Sequence, residues 1–213
     1  MTTGRGWWAR NRWPLAALPV ALVAALGASS DRVSTYYWHS GLHDERAADR
    51  GERLTLHDEY TDGDGTHERT LRVRLDRTES LTPADVRATG VDVPPGARAV
   101  QVTLSLEADP DVPLASCRLA LRDEDGTRYG YRPPGFESVR SAAARPMYPC
   151  VPDETPGPFE SLGALDDALT PDDSPARPAS WTVEPVVVVP DGARVEAALL
   201  WWREPVYVAL AVD

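Results

Sequence analysis

The sequence predicts an all-β body, an antiparallel β-sandwich, preceded by one N-terminal transmembrane helix. Three observations carry this reading. An uncharged stretch runs from Trp13 to Ser30 behind three arginines, short runs of alternating apolar residues begin past position 50, and turn-forming residues separate those runs. At 213 residues, with 42% hydrophobic and 26% charged side chains, the chain suits one globular domain plus a targeting element.

The N-terminal segment comes first. Arg5, Arg10 and Arg12 precede WPLAALPVALVAALGASS, and Asp31 follows it. Basic residues resist translocation, so residues 1–12 are expected in the cytoplasm and the body beyond the membrane. A cleaved signal and a retained anchor compete for this segment, since small residues at Gly27 or Ser30 suit cleavage. The flanks favour the anchor. Trp7, Trp8 and Trp13 lie on one side and Tyr36, Tyr37 and Trp38 on the other, as aromatic belts do at the two membrane–water interfaces. A helix from Trp13 to Tyr36 rises about 35 Å at about 1.5 Å per residue, enough for a hydrocarbon core of about 30 Å. No Cys follows the apolar run and Arg10-Asn11-Arg12 is not a twin-arginine pair, which excludes an N-terminal lipid anchor and that export route. The expected organisation is therefore an anchor over 13–38, a juxtamembrane linker over 39–51, and an extracytoplasmic domain over 52–213.

Strands follow from period-2 alternation. Leu54 and Leu56 open the first, Thr61-Asp62-Gly63-Asp64-Gly65 turns, and Leu71, Val73 and Leu75 alternate with arginines on a hairpin partner. Val100, Val102, Leu104 and Leu106 face one way on the cleanest strand. Cys117, Leu119 and Leu121 share a face, Asp123 to Gly126 turns, and Tyr129 and Tyr131 continue. The last strands fall within Trp181–Val189, Val195–Trp202 and Val206–Val212. Between them, about 133–180 is rich in Pro, Gly, Asp and Ser, and reads as a long excursion with at most a short helix over 161–169. Cys117 on a strand and Cys150 in the excursion form an even pair, expected as a disulfide in an oxidising compartment.

The chemistry-bearing residues exclude more than they assign. The chain has no Lys, so Schiff-base chemistry, a phosphate loop ending in Gly-Lys and a Ser-x-x-Lys nucleophile are all ruled out. There is no Gly-x-Ser-x-Gly elbow. The arginines before Trp13 carry +3 of a net −11, leaving −14 on the rest, a charge that repels nucleic acid. His39, His43, His57 and His67 gather in one stretch, but Ser40-Gly41 breaks the helix that would align His39 with His43, and no Glu lies between them. The acidic turns at Asp62 and Asp123 fail the calcium-loop pattern, because the first ligand would be Tyr60 or Leu121 and the closing Glu would be Leu71 or Arg132. No catalytic residue, cofactor or metal is therefore expected.

Aromatic residues offer the better lead. Trp201 and Trp202 are adjacent, so on a strand they point to opposite faces. Either both faces are covered, or one Trp is displayed as a binding anchor, with Tyr129 and Tyr131 as further surface candidates. CRLALRDEDGTRYGYR and the closing WTVEPVVVVPDGARVEAALLWWREPVYVALAVD carry a resemblance. Their Asp-x-x-Gly-x-x-Tyr hairpin from Asp123 to Tyr129 and their Pro190-Asp191-Gly192 turn are similar to those of bacterial membrane-anchored proteins with an immunoglobulin-like (telokin-like) extracytoplasmic domain of no assigned function. The resemblance implies an immunoglobulin-like sandwich and no catalytic residues. The functional expectation is a binding or accessory module of the cell envelope, which meets the bilayer through its helix and contacts another envelope protein. The alternatives are a metal protein or enzyme using the His39–His67 stretch, and a purely structural surface protein.

Overall fold

The computed structural model describes residues 4–33, 40–133, 147–163 and 176–212, and the chain forms two compact units, Met1–Gly41 and Leu42–Asp213. The first unit contains helix α1, Gly4–Val33, which continues across Pro14 and Pro19. Within it, Asn11–Ser29 is long and apolar enough to cross a membrane, and none of that stretch is buried in the protein. Length and composition of this kind are shared by anchors and signal sequences. Trp7 and Trp8 fall on this helix, and Trp13 is 76% exposed. Tyr36, Tyr37, Trp38 and His39 lie outside the described residues.

The second unit is built from two sheets. Its strands are β1 (Asp44–Ala48), β2 (Arg53–Asp62), β3 (Gly65–Ser80), β4 (Ala97–Ala108), β5 (Arg118–Asp123), β6 (Arg128–Gly130), β7 (Ser180–Val183), β8 (Val186–Pro190), β9 (Val195–Trp201) and β10 (Val206–Ala211). One sheet has the order β1-β10-β9-β5-β6 and the other β2-β3-β4-β7, with β8 also on β4. β7 pairs with Leu104–Glu107 and β8 with Ala97–Gln101, so together they form one outer strand interrupted at Glu184-Pro185. The interruption still hydrogen-bonds, since Val102 N donates to Pro185 O at 2.9 Å.

Alternation decides which side chains meet between the sheets. Leu71, Val73 and Leu75 on β3 and Val102, Leu104 and Leu106 on β4 are buried against Leu119, Leu121, Ala198, Leu200, Val208 and Leu210 of the other sheet. The hairpin of β2 and β3 turns through Gly63-Asp64, where Asp62 Oδ1 accepts the Asp64 amide at 3.0 Å. Helix α2, Pro83–Thr89, starts at the N-cap Thr82, has Pro83 in its first turn and stops at Gly90 with φ 65°. Beside it, Val91, Ala99 and Val186 form a small second cluster on the outer face of the β2–β8 sheet.

Three expectations need correction. The stretch 39–51 is not all linker, because β1 pairs in parallel with β10 from Asp44↔Val206 to Ala48↔Leu210. As an outermost strand it is recruited through its backbone, so its charged sequence carries no alternation. The sandwich is for the same reason not wholly antiparallel. The excursion at about 133–180 is also partly packed: segment 147–163, here called the strap, buries Cys150 and Val151 completely. Of the short helix expected over 161–169, residues 164–169 lie outside the described residues, and 161–163 are non-helical apart from a single 3-10 position at Gly163.

Candidate functional site

The outermost strands β6 and β8 belong to different sheets and flank the same groove of about 850 Å³. Tyr129, Tyr131 and Arg132 line one wall, Val186 and Val188 the other, and Val91 and Pro94 close one end. Two strand edges, two phenol rings and several valines converge there. Both tyrosines of the expected binding surface thus come together.

Their positions are fixed from beneath. Asp123, buried at the end of β5, accepts the Asp125 amide at 3.1 Å and the Thr127 amide at 2.8 Å on Oδ1, and the Tyr129 hydroxyl at 2.7 Å on Oδ2. The acidic turn is therefore a hairpin clamp. The Tyr129 hydroxyl, with those two amides, overcomes burial and holds the Asp123 carboxyl below its ordinary 3.8. In return the carboxylate raises the Tyr129 hydroxyl above its ordinary 10.0, so Tyr129 stays neutral. Tyr131 N donates to Leu119 O at 2.8 Å, which keeps the chain in register past the end of β6.

The tryptophans divide between two environments. Trp202 is in the core and its Nε1 donates to Leu114 O at 3.0 Å, so it is not a surface anchor. Trp201 is half-buried on the outer face of the β1–β6 sheet, beside Leu199 and Tyr207. Neither lines the groove.

His57 and His67 lie on opposite faces of the β2–β3 hairpin, and His39 is outside the described residues. His57 lies on the outer face of β2 with Nδ1 2.9 Å from Thr70 Oγ1, whereas His67 lies on β3 with Nε2 3.2 Å from Asp62 Oδ1. Among the described residues no three of His, Cys, Asp or Glu are grouped to hold a metal. A second groove of about 550 Å³ beside His57 is acidic, with Glu59 directly opposite Glu68 across the hairpin.

Cys117 and Cys150 stand at disulfide distance, with Cα atoms 6.0 Å apart. Sequence reasoning missed two buried cations, Arg69 and Arg177. Arg69 is 1% exposed, donates through Nε and Nη2 to Asp58 Oδ2 at 3.0 and 2.5 Å, and lies over the rings of Tyr60 and Trp202. Arg177 stacks on Trp181 and donates to Asp109 O at 2.7 Å and Pro156 O at 3.3 Å. For Arg69 a signal existed. Extending the β3 alternation back from Leu71 puts residue 69 on the inward face.

No protein-family model matches the chain, and no curated protein matches it. Among solved structures, the chain is similar to an uncharacterized beta-sandwich protein from Clostridium difficile 630. The identity is 8%, the alignment covers 80% of this chain and 97% of the other, and the TM-score is 0.37.

Proposed function

We propose that this chain is a single-pass envelope protein whose immunoglobulin-like domain works outside the cytoplasm as a non-enzymatic binding or accessory module. The observation that carries the reading is the groove between β6 and β8, because strand edges flanked by aromatic and apolar side chains suit an extended segment of another protein. The sheet order β10-β9-β5 opposite β4 and β7–β8, with β1 parallel to the last strand, supports an immunoglobulin-like topology. The apolar helix behind Arg5, Arg10 and Arg12 supports a cytoplasmic N-terminus, and the exposed Trp13 supports an interfacial belt. The partner in this reading is a neighbouring envelope protein, and the strongly acidic body disfavours nucleic acid.

In-cell photocrosslinking tests the proposal. A photoreactive side chain at Val188 is expected to give a discrete protein adduct, whereas the same group at Thr55, on the opposite outer strand, gives none. Equal labelling at both positions, or none at either, overturns the groove as the contact surface.

A further inference from the structure

The strap is held at its two ends by different chemistry. Around Cys150 and Pro156 it is fastened to the rest of the domain without a carboxylate: by the Cys117–Cys150 pair, by Trp181 Nε1 donating to Cys150 O at 2.8 Å, and by Arg177 donating to Pro156 O. The carboxyl at this end, Asp153, is pushed up by burial and accepts the Met147 amide at 2.7 Å within the strap itself. Around Ser161 it rests on the tip of the β2–β3 hairpin. There Asp62 Oδ2 accepts the Ser161 amide at 3.2 Å and Gly63 N donates to Ser161 O at 2.7 Å. The approach is so close that a Cβ on Gly63 would lie 2.2 Å from Gly163 N. Gly63 therefore has no room for a side chain, and Gly163, with φ 66°, takes the left-handed conformation that favours glycine.

Asp62 ties this contact together. Its side chain is 8% exposed and serves Asp64, His67 and Ser161 at once. The groups facing it are His67 and Tyr60 from the hairpin and Asp64 from the turn, and the strap brings Glu160 near Tyr60. Glu160 in turn faces Arg69, with Oε1 3.7 Å from Nη1, and accepts Ser116 Oγ at 2.8 Å. Arg69 is otherwise held by Asp58.

We infer that Asp62 is an acid-released latch, which frees the Glu160–Gly163 end of the strap from the hairpin tip while the Cys150 end stays fastened. A protonated carboxyl is a weaker acceptor for the Ser161 amide, and it loses its attraction for His67. Release uncovers the side of Arg69 that faces Glu160, beside Tyr60 and Trp202. Burial pushes the Asp62 carboxyl up, but the Ser161 and Asp64 amides and His67 outweigh it and hold the group below its ordinary 3.8. A depressed carboxyl contributes its hold above the unfolded value and loses it as pH falls through the folded one, so the latch is closed at neutral pH and opens below 3.8.

Hydrogen–deuterium exchange on the full chain in detergent micelles tests this, with peptides covering 158–163 and, as a core control, 99–106. From pH 7 to about pH 2.5 the strap peptide is expected to lose about tenfold in protection while the core peptide keeps its own. Asp62→Asn is expected to show the acid behaviour already at pH 7, with little further change on acidification. Unchanged strap protection in acid, or loss only in step with the core peptide, overturns the latch. Wild-type protection of the strap in Asp62→Asn at pH 7 overturns it as well.

Discussion

Strand β4 and the strap both bury residues completely, yet they are ordered by opposite means. On β4, Val102, Leu104 and Leu106 enter the core at every second position, and β3 on one side and β7 and β8 on the other pair along its length. The strap has no repeat. Its order comes from single fastenings at Cys150, Pro156, Glu160 and Ser161, each met by a residue far away in the chain. The contrast teaches that burial has two sources here. A periodic face is buried by collapse of like side chains, whereas an aperiodic segment is buried by a few specific partners.

Substitutions sharpen this contrast. Leu104→Ala, at the centre of β4, should cost about 4 kcal/mol of global stability in chemical denaturation, because a fully buried leucine leaves a cavity flanked by rigid strands. A cost under about 1 kcal/mol would show that β4 is not the centre of the cooperative unit. Replacing Cys117 and Cys150 together by serine should cost about 3 kcal/mol, since the cross-link closes a separation of 33 residues. Exchange should then rise first in the strap. If the core peptides lose protection equally, the strap is an integral part of the sandwich rather than an attachment to it.

The smallest effect is expected on the outer face of the β2–β8 sheet. There Arg72 lies 3.4 Å from Glu107, which also meets Arg53 at 2.9 Å, and all three side chains are substantially exposed. Arg72→Ala should change stability by less than about 0.5 kcal/mol in the same denaturation experiment. A larger loss would identify this ladder of charges as a cooperative network.

Much of the fold was legible because alternation, turns and apolar runs are local. The hairpin at Asp62–Gly65, strand β4 and the places of the last strands follow from period and turn chemistry, although the run Trp181–Val189 divides into β7 and β8. β1 was not legible, since an edge strand of charged residues is recruited by its neighbour's backbone and not by its own pattern. Of the candidate site, Tyr129 and Tyr131 were visible as strand aromatics. Their opposite wall, Val186 and Val188, lies more than fifty residues on and meets them only because the two sheets close together at β6 and β8. The adjacent tryptophans show the same limit. Parity sends Trp201 and Trp202 to opposite faces, but only the sheet order shows that the even face of β9 is the core.

By itself, the sequence determined the apolar N-terminal helix, the β-rich body, its acidic charge and the cysteine pair. Each of these depends on composition or on neighbours within a few residues. Tertiary structure alone decided that the strap is buried, that Arg177 lies inside, and that two strand edges form a groove. Those features need partners brought together from far along the chain, 68 residues for Arg177 and Asp109 and 99 for Ser161 and Asp62. No local pattern records such meetings, because the free energy that fixes them arises only once the sheets have packed.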